Sequence, residues 1–309
     1  MRNRVRAAKV TWLNVRMSLA FFAACRTWLD DDLITGMLIA GVLSANVEHI
    51  DQRPEEIRKY LPPGGVPDEL RRPVNAMSVA SSLGIPRETA RSKLVSLTER
   101  GIFKAVDGGL ILSTEAIVSA PFLTTLPAFF SALDDFVQGL TLVGACGLGP
   151  QHGLAQPVWS VGGAATRLGS SHVLRGIAHA QALSPDVPFM TQYILMATTH
   201  LAGSDLRLFP TMPVGGGALA KLKPGLSPIS GGAVARFTNF PEETVRRHLR
   251  ALVNRGDLVR TKAGYDLNMD NHQLVRRWLD FQTGSKASTR QLVWKMTLGS
   301  VIVDRSHSV

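Results

Sequence analysis

Two sets of side chains, 155 residues apart, carry the chemistry this chain has to offer. The first is Arg87, Glu88, Thr89, Arg91, Ser92 and Lys93, with Lys104 a little further on. The second is Glu243, Thr244, Arg246, Arg247, His248 and Arg250, followed by Arg260 and Lys262. Guanidinium groups pair bidentately with guanine, hydroxyls bind a base edge or phosphate, and glutamate can accept from cytosine N4. Cations on an adjoining strand, here Lys104, Arg260 and Lys262, would contact phosphate. The same residues would also suit a solvated helix face, with Glu88 and Glu243 serving a helix dipole and Arg100 and Arg255 a helix C-terminus. The choice turns on the elements that position them.

Those elements repeat. Residues 77–112 and 232–267 overlay without a gap, sharing Val79/Val234, Ala80/Ala235, Pro86/Pro241, Glu88/Glu243, Thr89/Thr244 and Arg91/Arg246. They also share Leu94/Leu249, Leu97/Leu252, Arg100/Arg255, Gly101/Gly256, Gly109/Gly264 and Leu112/Leu267. Each copy reads as a short apolar helix (79–83, 234–237), a turn at Gly84-Ile85 or Asn239-Phe240, and a proline at the first position of a second helix. In that helix Ala90, Leu94 and Leu97, or Val245, Leu249 and Leu252, make one apolar stripe and leave the other face free. Gly101 and Gly256 suit a helix C-terminus. Beyond them alternation with period two and a turn at Asp107-Gly108-Gly109 or Ala263-Gly264 predict a β-hairpin.

Helix, turn, helix, hairpin is the order of a winged helix-turn-helix, and the residues carry the resemblance. LGIPRETARSKLVSLTERG (83–101) is similar to the second and third helices of bacterial GntR-type and cyclic-AMP-receptor-type regulators. Arg87-Glu88-Thr89 resembles the start of the receptor-type recognition helix; the second copy departs from it with Glu242 in place of Arg87. The resemblance covers the two motif stretches, roughly a quarter of the chain. It implies a mainly α fold with small β-hairpin wings, as two tandem winged helix-turn-helix domains plus accessory helices. It also implies double-stranded DNA as partner, with recognition helices 86–100 and 241–255 entering the major groove. The function expected is that of a sequence-specific transcriptional regulator. A plasmid- or phage-type replication initiator with tandem winged helices, and a protein-interaction scaffold of the same fold, remain as alternatives.

At 309 residues, 45% hydrophobic and 19% charged, the chain is long and apolar enough for two domains with substantial cores. A net charge of +10 favours an acidic partner, nucleic acid ahead of an anionic membrane. The charge is unevenly shared: residues 1–155 hold 16 Lys+Arg against 15 Asp+Glu, net +1, and residues 156–309 hold 18 against 9, net +9. The second module is therefore expected to grip phosphate harder.

Other chemistries find little support. Cys25 and Cys146 are far apart and are expected as buried free thiols, which argues against a disulfide framework and a zinc site. The histidines form no HExxH pattern, and Gly144–Pro150 lacks the strand, helix and lysine of a phosphate loop. No enzymatic activity, cofactor or metal is expected. Apolar runs at 17–25 and 33–45 are shorter than a bilayer span. Arg2, Arg4, Arg6, Lys9 and Arg16 before MSLAFFAAC mimic a signal peptide, but Leu13, Met17, Ala20, Phe21, Ala24 and Trp28 share one helical face. An amphipathic helix, no membrane partner and a cytoplasmic, nucleoid-associated location are expected.

In order, helices are predicted over 5–28, 33–47 and 48–60, with Asp30-Asp31-Asp32 capping the second. A loop follows at 62–73, then the first module, then helices over 114–120 and 123–142. The predicted domains are 1–143 and 164–309, joined by a glycine-rich linker, 144–163. Residues 164–183 and 189–201 echo the first two helices, with Asp186 echoing the acids at 30–32. A long loop runs from about 203 to 232, including Gly215–Gly217 and Lys221–Pro224. Closing helices are predicted over 270–283 and 287–303. Apolar helices outside the modules would suit a homodimer interface or one between the halves.

Overall fold

Apolar residues at helical spacing account for most of the elements. The structure, a computed structural model, describes residues 2–29, 33–203 and 227–307, and for residues 2–8, 29 and 307 the backbone alone. The side chains of Arg2, Arg4 and Arg6, the acids at 30–32 and the loop at 204–226 lie outside the described residues. Within that description the chain is mainly helical, with twelve α-helices and three antiparallel strand pairs.

The first repeat runs α1 (Arg2–Leu29), α2 (Leu33–Asp51), α3 (Pro54–Lys59), a 3-10 turn at Asp68–Leu70, α4 (Ala76–Ser82) and α5 (Arg87–Glu99). Then come β1 (Phe103–Val106), β2 (Gly109–Leu112), α6 (Thr114–Ile117), α7 (Ala120–Leu142) and β3 (His152–Leu154). The second runs α8 (Val158–Leu183), α9 (Phe189–Ala202), α10 (Gly231–Thr238), α11 (Glu242–Asn254), β4 (Leu258–Thr261), β5 (Gly264–Leu267), α12 (His272–Leu298) and β6 (Ile302–Asp304).

The duplication seen in the residues is carried through the backbone bonds at the same offset. Ile85 N donates to Ala80 O, and Phe240 N to Ala235 O. Ile102 N donates to Leu97 O at 2.9 Å, and Asp257 N to Leu252 O at 2.9 Å. Asn75 caps α4 and Ser230 caps α10, each accepting from backbone amides of the first turn. The hairpins share one register, Phe103↔Leu112 and Leu258↔Leu267. A third stretch crosses each hairpin, Val74 bridging Leu110 and Ile229 bridging Tyr265. This bridge sits where Gly109 and Gly264 have φ near +143° and +142°, and a Cβ there would be driven into the carbonyl of Val74 or Ile229. Only glycine satisfies both demands.

Compactness divides the chain into two units, and not at the glycine-rich stretch. The first-module unit comprises Met17–Ala178 and Ala287–Val309; the second-module unit comprises Met1–Arg16 and His179–Lys286. The boundaries fall within α1, α8 and α12.

In the first-module unit α2 is the central helix, packed on α4, α5 and β2. It extends four residues beyond the predicted end at 47, to Asp51, and 72% of its most apolar stretch is buried inside the protein. Its length and hydropathy would also allow it to cross a bilayer. Phe122, Phe129, Leu133, Phe136 and Leu140 make the buried stripe of α7, with Trp28 and Phe21 of α1 against Phe122 and Phe129 at 4.8 and 5.1 Å. Residues 144–163 are more than a linker: β3 pairs with β6, and α8 begins at Val158. Long-range strand pairing leaves no local mark in so short a segment.

In the second-module unit α9 packs on α10, α11 and β5. Trp12 of α1 stacks on His200 of α9 (5.4 Å, 23°), and His200 in turn lies 5.4 Å from Phe237 of α10. Asp186 does not cap α9, whose N-cap is Pro188; it binds Arg255 instead.

The two closing helices expected over 270–283 and 287–303 are one, α12, ending at Leu298. Gly284 costs a helix about 1 kcal/mol relative to alanine, but here it admits the His179 ring, which stacks on Phe281 at 5.9 Å. Cys25 is buried, as expected, and burial pushes its thiol well above the usual range. Cys146 is only half-buried, in a turn with φ 59°.

Candidate nucleic-acid interface

The second helix of each module is set by its apolar stripe and its entry. Ala90, Leu94 and Leu97 of α5 and Val245, Leu249 and Leu252 of α11 are buried. Gly84 (φ +67°) and Asn239 (φ +54°) turn the chain after the preceding helix. Pro86 and Pro241 do not occupy the first helical position; they are N-caps, with φ −57° and −54° and ψ near 137°. Their carbonyls accept the first helical bonds from Ala90 N (2.9 Å) and Val245 N (3.1 Å). The helices therefore run 87–99 and 242–254, one residue shorter at each end than predicted.

With the stripe inward, the opposite side of α5 exposes Arg87, Glu88, Thr89, Arg91 and Ser92, while Lys93 is half-buried. On α11, Glu243, Arg246, Arg247 and Arg250 are exposed and Thr244 is half-buried. One acid in each helix turns to its own arginine. Glu88 lies 3.8 Å from Arg91, and Glu243 pairs with Arg246. Such solvent-exposed pairs contribute about 0–1 kcal/mol and are readily exchanged for another partner.

Two candidates are held by the fold itself. His248 shares a hydrogen bond with Thr191 Oγ1 of α9 at 2.8 Å, and burial, then Arg247, holds its pKa below the ordinary histidine value. Lys104 Nζ donates to Asp68 Oδ2 at 3.0 Å and Glu115 Oε1 at 3.2 Å, and these bonds raise its pKa. Burial alone would raise the Asp68 carboxyl, but hydrogen bonds from Thr114 and Lys104 hold it lower. Lys104 is thus a strut between the first hairpin and its flanks. Arg260 and Lys262 on the second hairpin are exposed.

The supports behind the faces include residues that local pattern did not single out. Buried Asn46 of α2 donates to Arg72 O (2.7 Å) and Leu110 O (3.1 Å) and accepts from Leu112 N (2.9 Å), fixing the first hairpin to α2. Its one signal was a carboxamide inside an apolar run. Arg71, buried, donates to the carbonyls of Val66 (2.9 Å) and Leu112, and burial lowers its pKa to about 10. In the second module Asp257 is buried between Arg255 (3.0 Å) and Arg277, and Arg255 also reaches Asp186 at 2.5 Å. Arg255, expected only to favour a helix end, joins α11 to α12 and the start of α9. Arg236 of α10 adds an exposed cation beside this face that was not predicted.

What each face offers is a rigid helix with arginine and hydroxyl groups outward, flanked by a hairpin. Among the described residues no group of three or more His, Cys, Asp or Glu is arranged to hold a metal ion. Comparison of the chain with protein-family models, with curated proteins and with solved structures finds no match.

Proposed function

We propose that the chain is a sequence-specific double-stranded DNA-binding protein, a transcriptional regulator built from two winged helix-turn-helix modules. Helices α5 and α11 enter the major groove, and the β1–β2 and β4–β5 hairpins act as wings. The observation that carries the reading is the α11 face. Arg246, Arg247 and Arg250 are exposed on one stable helix, and the adjoining hairpin adds exposed Arg260 and Lys262. Arginines so placed can read guanine while the hairpin cations neutralise phosphate.

The test is selection of bound fragments from random duplex DNA, then titration of the selected duplex across a salt series. A selected sequence whose log affinity falls with log salt at a slope of roughly −4 to −5, the value for about five phosphate contacts, supports the reading. Arg246→Ala with Arg247→Ala should cost at least tenfold in affinity. An unenriched pool, or variants binding like the parent, would refute it.

A further inference from the structure

Each unit is completed by a helix from the other repeat. The N-terminal part of α1, the leading helix of the first repeat, belongs to the second-module unit, where Trp12 stacks on His200. Most of α8, the leading helix of the second repeat, belongs to the first-module unit. There Arg167 donates to Asp51 Oδ1 (3.2 Å) and Tyr60 O (2.9 Å). Trp12 and Arg167 stand 155 residues apart, at equivalent positions. The exchange of leading helices by which two identical chains interlock is here made within one chain, so both modules are complete in a single copy.

Fusion frees the two modules from being identical, and their exposed faces have diverged at equivalent positions. Arg87 stands opposite Glu242, Ser92 opposite Arg247, and Val95, 54% exposed, opposite Arg250. The hairpins differ more: exposed Ala105 and Asp107 stand where the second has exposed Arg260 and Lys262. An aspartate facing a phosphate repels it, whereas lysine releases a counterion. An exposed valine offers contact with a thymine methyl, whereas arginine there favours guanine.

We propose that one copy of this chain recognises a composite duplex of two unlike halves. Beneath α11 lies a guanine-rich half bound mainly through phosphate and arginine. Beneath α5 lies a half that contains thymine and is bound with little dependence on salt. This rests on the DNA-binding reading and gives its target. It assigns the two modules different base sequences and makes the complex one chain per duplex, with no palindrome.

The experiment is selection from random duplex DNA with the full chain, and the chain stoichiometry of the selected complex by light scattering. It is repeated with Arg246→Ala/Arg247→Ala/Arg250→Ala and with Arg87→Ala/Arg91→Ala, all on exposed positions. Expected are two dissimilar half-motifs, one chain per duplex, and loss of information from a different half in each variant. Asp107→Lys should steepen the salt slope by about 0.9, one added phosphate contact. A palindromic motif, two chains per duplex, or both variants degrading the same half would overturn the proposal while leaving DNA binding intact. Absence of any selected sequence would instead remove the DNA-binding reading itself, and the proposal with it.

Discussion

The two units each hold one copy of the same helix–helix–hairpin module, fastened by different chemistry. In the first-module unit the incoming helix α8 is fastened by a buried ion pair, Arg167 with Asp51, each side chain 6% exposed. In the second-module unit the incoming helix α1 is fastened by an aromatic stack, Trp12 on His200. The hairpins follow suit. Asn46 ties β2 to α2 with two hydrogen bonds and holds Arg72 O with a third, and its equivalent is Leu201, whose side chain can offer none. Conversely, Asp257, buried between two arginines, stands where the first module has Ile102. The positions kept alike include those where backbone geometry leaves no choice, Gly109/Gly264 at the strand crossing and Pro86/Pro241 at the helix entry, and the buried stripe Leu94/Leu249 and Leu97/Leu252 that seats the second helix. The fastenings around them have drifted, because several side chains solve those problems equally well.

This contrast implies unequal costs for equivalent lesions. The largest effect is expected from Asp51→Ala, which leaves the Arg167 guanidinium buried without its counter-ion and should lower unfolding free energy by about 3–5 kcal/mol. Urea titration measures it, and a loss under 1 kcal/mol would mean that water reaches the pair. Asn46→Ala should cost about 2–3 kcal/mol, because the Leu112 amide and Leu110 carbonyl lose a partner. Half-buried Leu201→Ala should cost about half as much, the loss of partial apolar burial alone. Equal costs would show that the asparagine acts only by its volume.

A pH dependence should follow from the first-module unit. His172 is 3% exposed, and burial, reinforced by Arg175, lowers its pKa to about 3. Below about pH 6.5 the unfolded chain takes up a proton that the folded one refuses, so this contribution is full above pH 6.5 and is lost as pH falls toward 3. Between pH 7 and pH 5 it amounts to about 2 kcal/mol. His172→Gln should flatten that part of the stability profile, and an unchanged profile would assign acid sensitivity elsewhere. The smallest effect expected is from Trp12→Leu, which gives up an aromatic pair worth about 1 kcal/mol. Thermal melts comparing it with Asp51→Ala would rank the two fastenings directly, and the reverse order would break the comparison.

The modules were legible in the sequence because their grammar is local: a stripe at i, i+4 and i+7, a glycine after a helix, alternation in a hairpin. Twelve shared residues in one register made the duplication plain, and the backbone bonds repeat it. What escaped depends on partners far along the chain. That α8 and the start of α1 change places, that β3 finds β6, and that Lys104 is taken up by Asp68 and Glu115 are contacts over distance. The break expected between 283 and 287 is bridged by a continuous helix, in which Gly284 lies against the ring of His179. Among the site residues, exposure of the arginines followed from periodicity, whereas the anchoring of His248 by Thr191 did not.

The placement of α1 has a consequence during synthesis. Trp12 is made before His200, on which it rests and which lies 188 residues further on. At roughly 5–20 residues per second, Trp12 waits about 10–40 s for its seat to be made. Until then its apolar face is open to chaperones or to another nascent copy. The docking of Trp12 is therefore timed by the second repeat and not by its own neighbours in the chain.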